Sequence, residues 1–167
     1  MGVIKKQSIQ SSVVIYIGFA LGAFNVLFLF PKYLTPEQIG VSRILFSFAT
    51  LMANFSLLGL PNVMMKFYPY YKDKLQDKKN DFLFISICVL SVGLTITLTV
   101  ISLFKPYFVR KFGSKSPLFI DYFDLCYVLI IGLAVYNLLE IFCKNNLKTV
   151  VPNFLREIGF RVFTLLS

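Results

Sequence analysis

The sequence predicts an all-α transmembrane fold: four membrane-spanning helices followed by the amphipathic start of a fifth. Three observations predict it. Hydrophobic residues make up 57% of the 167-residue chain and charged residues only 15%, where a soluble domain carries about a quarter charged residues. The apolar residues collect in blocks long enough to cross a hydrocarbon core, which takes about 20 helical residues. Prolines, capping residues and lysines punctuate the gaps between the blocks.

The first block, Val13 to Phe30, follows Lys5, Lys6 and the capping candidates Ser11 and Ser12, and Pro31 is positioned to stop it. It continues without a small-residue cleavage site, so it reads as an uncleaved first span. Lys6 occupies the place where myristoylation needs Ser or Thr. Thr35-Pro36-Glu37-Gln38 is a helix start, with Thr35 as cap, Pro36 in the first turn and Gln38 completing a capping box. The second span runs from Ile39 to Leu60 and ends at Gly59-Leu60-Pro61.

A polar stretch from Lys66 to Asp81 leads to the third span, Phe82 to Leu103, with Asn80 or Asp81 as its cap. That span is rich in Thr and β-branched residues. Its length argues for helix, because lipid offers backbone polar groups no partner outside the segment. Lys105 to Asp121 is mixed and aromatic, as expected of a segment along the membrane surface. The fourth span is Tyr122 to Phe142, closed by Lys144, Asn145 and Asn146. From Pro152 onward the pattern is amphipathic, with Glu157 and Arg161 at a favourable i,i+4 spacing. The sequence stops within an apolar run, Val162 to Leu166. That fits a fifth span cut short or a helix lying in the interface, and the first reading is preferred.

Net charge is +9, from 17 Lys and Arg against 8 acids, with no His. The basic residues fall between the apolar blocks, where they set topology and meet anionic membrane lipids. No nucleic-acid-binding motif accompanies them. With the amino terminus inside, ten basic residues are cytoplasmic (Lys5, Lys6, Lys66, Lys72, Lys74, Lys78, Lys79, Lys144, Lys148, Arg156) and six are outside (Lys32, Arg43, Lys105, Arg110, Lys111, Lys115). A cytoplasmic amino terminus is therefore expected. Cys88, Cys126 and Cys143 lack metal spacing and read as small buried hydrophobes. The missing histidine removes the commonest general base and metal ligand, so neither an enzyme nor a cofactor is expected.

The spans are not uniformly apolar. Arg43, Ser47, Thr50 and Asn54 share one face of the second, and Arg43 can reach the interface along its stem. Gly18, Gly22 and Asn25 share a face of the first, where Gly18 and Gly22 form a GxxxG pair that permits close helix approach. In the third span Cys88, Ser91, Thr95, Thr99 and Ser102 make a mild stripe that reads first as a helix-packing surface. In the fourth, Gly132, Tyr136 and Glu140 line up beside Asn137; Asp124 and Glu140 lie near opposite ends, as expected of interface-exposed acids. Asn25 and Asn54 need either water in a cavity or an interhelical hydrogen bond. Arg161 lies roughly 13 Å along a helix starting at Pro152, which makes it an intramembrane candidate if that helix enters directly.

Three segments resemble a known family. Tyr33-Leu34-Thr35-Pro36-Glu37-Gln38-Ile39-Gly40 is similar to the Leu-Ser/Thr-Pro-Glu-x-Phe/Tyr-Gly link between the first two helices of polysaccharide and O-antigen flippases. Leu58-Gly59-Leu60 followed by Met65-Lys66-Phe67-Tyr68-Pro69-Tyr70-Tyr71 resembles the family's Gly…Arg/Lys-Phe/Tyr-Phe/Tyr-Pro element. Thr149-Val150-Val151-Pro152-Asn153-Phe154-Leu155-Arg156-Glu157 is similar to the start of its fifth helix, V-P-x-F-L-R-E. The superfamily includes multidrug and toxin extrusion transporters. The resemblance implies the amino-terminal part of the first lobe of a MATE-like flippase fold in a bacterial cytoplasmic (inner) membrane.

The implied activity is translocation of a polyprenyl-pyrophosphate-linked oligosaccharide in lipopolysaccharide or polysaccharide biosynthesis, with an ion gradient as a plausible drive. The substrate-cavity candidates are Arg43, Arg156 and Arg161, with Asn25 and Asn54 facing sugar and Lys66 meeting the pyrophosphate on entry. The alternatives are a cation exporter of the same superfamily and a non-transport four-helix scaffold subunit.

Overall fold

A computed structural model describes residues 2–74, 82–112, 117–146 and 150–159. Every regular element among them is helical. Helix α1 (Gly2–Phe24) continues through a π-helical stretch, Asn25–Leu29, into α2 (Phe30–Tyr33). Then follow α3 (Pro36–Ser56), α4 (Leu60–Lys74), α5 (Phe82–Phe112), α6 (Pro117–Asp121), α7 (Leu125–Asn145) and α8 (Val150–Phe154), the last running into a second π-helical stretch, Leu155–Gly159. Four helical segments among these residues are long and apolar enough to cross a bilayer: Gln7–Tyr33, Pro36–Ser56, Phe82–Phe108 and Leu125–Asn145. The chain is a multi-pass membrane protein.

The spans match the four expected from sequence, with shifted ends. Ser11 and Ser12 do not cap the first span; they lie inside α1, and the Ser12 hydroxyl donates to the Ser8 carbonyl at 3.0 Å. Pro31 does not stop it either. Proline has no N–H for a carbonyl one turn back, and the chain accommodates it with the preceding π-helical turn, in which the Phe30 N–H reaches the Asn25 carbonyl. Helical structure ends only at Leu34, whose backbone is extended.

The second span closes four residues earlier than expected. Leu58 and Gly59 take positive φ angles of 48° and 79°, which breaks the helix after Ser56. Pro61 then falls in the first turn of α4 rather than after a helix end. The stretch read as polar linker from Lys66 is therefore helical as far as Lys74. Residues 75–81, including the cap candidates Asn80 and Asp81, lie outside the described residues. Helix α5 runs nine residues past the expected end, with Pro106 inside it, and α7 begins after a turn over residues 122–124.

The described residues fall into two compact units, one drawn from 2–36, 143–146 and 150–159 and the other from within 37–142. In the larger unit, buried residues recur every fourth position: Val41, Leu45, Ala49 and Ala53 on α3, and Cys126, Ile130, Ala134 and Leu138 on α7. Two clusters form. One joins Ala53, Leu57, Leu60, Met64 and Tyr68 to Phe82, Leu90, Ala134, Leu138 and Ile141. The other joins Val41, Leu45 and Ala49 to Ile101, Phe119, Phe123, Cys126 and Ile130. The start of α3 thus meets the start of α7 and the end of α5. So α3 and α7 run one way and α5 the other, as serial crossings require.

In lipid, burying apolar side chains gains little, because the tails are equally apolar; close van der Waals packing at small residues does the work. The contact of α5 with the end of α3 fits that rule. A Cβ at Gly93 would collide with the Ser56 carbonyl oxygen. Large apolar residues such as Phe55, Phe84, Leu103 and Val128 remain exposed, as lipid-facing side chains should.

In the smaller unit, α1 packs against α8 and the π-helical stretch after it. Gly18 and Asn25 are buried there, on the shared face the sequence predicts.

Candidate functional site

Among the six residues singled out from sequence, Arg43 and Asn54 lie on one helix. Beside the buried ridge of α3 (Val41, Leu45, Ala49, Ala53), Arg43, Ser47 and Asn54 are exposed on a second face, with Thr50 partly covered. Arg43 and Asn54 are three turns apart on that face, roughly 16 Å at 1.5 Å per residue. The Thr50 hydroxyl donates to the Phe46 carbonyl at 2.7 Å, so its proton is satisfied within the helix. Asn54 reaches a second helix. Its Oδ1 accepts from Nδ2 of Asn137 on α7 at 3.5 Å, the long limit of a hydrogen bond. Of the two partners open to Asn54 from sequence, the interhelical one is present.

The third-span stripe behaves differently from the packing surface expected. Cys88, Ser91, Thr95, Thr99 and Ser102 are all exposed, while the buried face of α5 carries Phe82, Ser86, Leu90, Gly93, Thr97 and Ile101. Both faces contain hydroxyls, so composition did not tell them apart. The exposed hydroxyls close on their own helix: Ser91 donates to the Ile87 carbonyl at 2.9 Å, Thr95 to Ser91 at 2.8 Å and Thr99 to Thr95 at 2.7 Å.

Asn25 is 4% exposed and opens the π-helical stretch of the first span. Such turns are frequent at functional sites. Lys66 sits on α4, exposed, with its ammonium 5.8 Å from the centroid of the Phe67 ring. Arg156 is exposed within the second π-helical stretch. Arg161 lies outside the described residues. Arg43, Asn54 and Lys66 belong to the larger unit, and Asn25 and Arg156 to the smaller.

The fourth-span acids part company. Asp124 is exposed as expected and pairs with the Lys105 ammonium at 2.6 Å; an exposed pair of this kind contributes at most about 1 kcal/mol. Glu140 is not an interface-exposed acid: it is 7% exposed. It lies one turn beyond Asn137, so its burial is continuous with the side of α7 that reaches Asn54. Its spacing from Tyr136 and Asn137 was the available signal. The cysteines also divide, Cys126 being buried and Cys88 exposed, and all three are free. Among the described residues no group of His, Cys, Asp and Glu could hold a metal ion.

No family model, curated protein or solved structure matches the chain. The functional reading therefore rests on the residues themselves.

Proposed function

We propose that the chain forms the beginning of the first lobe of a MATE-like flippase that moves a polyprenyl-pyrophosphate-linked oligosaccharide across a bacterial inner membrane. The physical task is to carry a large polar glycan and a charged pyrophosphate past hydrocarbon. It calls for a path lined with amides, hydroxyls and cations, opened to one leaflet at a time.

The observation that carries the proposal is the outer face of α3. A span with Arg43, Ser47 and Asn54 exposed beside its own apolar packing offers that lining. Intramembrane polar residues in transporters mark substrate pathways. The three motif resemblances point the same way. The basic and amide character favours an anionic substrate over the small cations an exporter would take, whose path would be acidic.

In this reading Arg43 contacts phosphate and Asn54 sugar. Lys66, on α4 beyond the end of the second span, meets the pyrophosphate on entry; Asn25, Arg156 and Arg161 are the remaining candidates for contact with sugar and phosphate. The amino terminus is cytoplasmic, anionic lipids surround the basic segments, and an ion gradient supplies the drive.

The Asn54–Asn137 hydrogen bond also suits a second reading, a non-transport four-helix scaffold, because amide pairs hold helices together. One experiment separates them. Deleting the gene is expected to accumulate lipid-linked oligosaccharide on the cytoplasmic face of the membrane, with restoration by the wild-type gene and not by Arg43→Ala expressed at equal level. Normal export in the deletion strain would end the flippase proposal. Full restoration by Arg43→Ala would remove Arg43 from the path.

A further inference from the structure

The sequence leaves two placements open for the helix beginning near Pro152: flat in the interface, or entering the membrane. A contact in the smaller unit bears on the choice. A Cβ built on Gly18 would lie 2.5 Å from the Cβ of Glu157 and 3.0 Å from both its carbonyl oxygen and its Oε2. Only a glycine lets the two backbones come this close. The backbone of Glu157 therefore rests on α1 at Gly18, on the face that also carries the buried Asn25.

The depth of that point follows from α1 itself. The first span, Gln7–Tyr33, has 27 residues, more than the roughly 20 that fill the hydrocarbon. Whichever twenty of them do so, Gly18 stays at least one turn, about 6 Å, inside. Counted from Val13, where the apolar run begins, it is about 8 Å inside.

A second estimate comes from the other helix. Four crossings return the chain to the side on which it began, so α8 starts on the same side as the amino end. Glu157 lies seven residues after Val150, about 10 Å along if the helix goes straight in. Counted from Val13, the first depth agrees with the second to within one turn. A helix lying flat at the surface would instead meet α1 near Ser8, three turns short of Gly18.

We infer that α8 and its π-helical extension enter the membrane beside α1, seated on Gly18, and that Glu157 is an intramembrane carboxylate rather than a headgroup-level one. Gly18, the first glycine of the GxxxG pair, is then the seat of the entering helix. Glu157 joins the residues whose position in the bilayer marks them as functional candidates. Arg156, its neighbour, enters at the same level on a different side of the helix.

The test is independent of any substrate. In the 167-residue chain with Cys88, Cys126 and Cys143 replaced by Ala, Glu157→Cys is combined with Leu21→Cys, one turn from Gly18, or with Ser8→Cys. Each pair is oxidised in lipid vesicles and read on a denaturing gel. Cross-linking to position 21 should exceed that to position 8 at least tenfold. The reverse ranking, or no linking at position 21 when both thiols react after denaturation, overturns the inference. As a second measurement, Gly18→Leu should abolish the 21–157 link while leaving the labelling of a single Ser8→Cys unchanged. Persistence of the link in Gly18→Leu would show that the close seat is not what holds the helix.

Discussion

Helices α3 and α5 each turn a polar face away from the core they share, yet the two faces differ in what they demand of their surroundings. On α5 the hydroxyls of Ser91, Thr95 and Thr99 donate to carbonyls one turn back, so that stripe can stand in lipid with no outside partner. On α3 the Thr50 hydroxyl does the same, but an amide and a guanidinium cannot. The Arg43 guanidinium carries five donors in a fixed fork, which its own helix cannot satisfy, and Asn54 reaches across to Asn137. A count of polar residues would rank the stripes as equals. Counting protons that need a partner beyond the helix puts the functional demand on α3.

The contact between these helices should respond most strongly to substitution. Gly93→Val would drive a branched side chain into the Ser56 carbonyl; overpacking of this kind costs about 1–3 kcal/mol, occasionally more. A marked fall in thermal unfolding temperature in detergent is the expected result. An unchanged value would mean that α3 and α5 do not approach here, and the distinction between their inner and outer faces would fail with it. Arg43→Ala is the converse case. Because Arg43 lies on the exposed face, its loss should leave the unfolding temperature nearly unchanged. Export of lipid-linked oligosaccharide should fall on the order of 10–100-fold, the equivalent of one hydrogen bond to a charged group of about 1.5–3 kcal/mol. Loss of stability without loss of export would make Arg43 a structural residue and erase the contrast with α5.

Which of these features could be read from sequence depends on whether a physical contrast marks them. Length and apolarity mark a span, and all four were legible. Spacing marks a shared face, and the faces of Arg43 with Asn54 and of Gly18 with Asn25 came out as predicted. The direction of the α5 stripe did not. In water a polar face points outward, but in a bilayer both sides of a helix meet apolar surroundings. Ser86 and Thr97 on the inner side balance Ser91 and Thr95 on the outer. The contact was set instead by Gly93, a single missing side chain. Helix α4 was hidden by its lysines, although Leu60, Met64 and Tyr68 recur every four residues and are all buried. The ring of Tyr68 packs 5.5 Å from that of Phe142. Glu140 was misread because an acid near a helix end is usually solvated; here it is covered.

Finer differences between the two faces call for smaller measurements. A double-mutant cycle on Asn54→Leu and Asn137→Leu should return a coupling near 0.6 kcal/mol, the average for interhelical polar pairs in a membrane. A coupling near zero would detach Asn54 from α7 and return it to a water-filled path. Smallest of all should be Ser91→Ala, Thr95→Val and Thr99→Val made together on α5. Each hydroxyl bonds only its own backbone, so its removal takes donor and demand away at once. The net change should stay within about 0.5 kcal/mol per site, with export unaltered. If the triple variant instead blocked export at normal expression, the hydroxyls would be meeting something beyond their own helix. The path would then have to be drawn along α5 as well as α3.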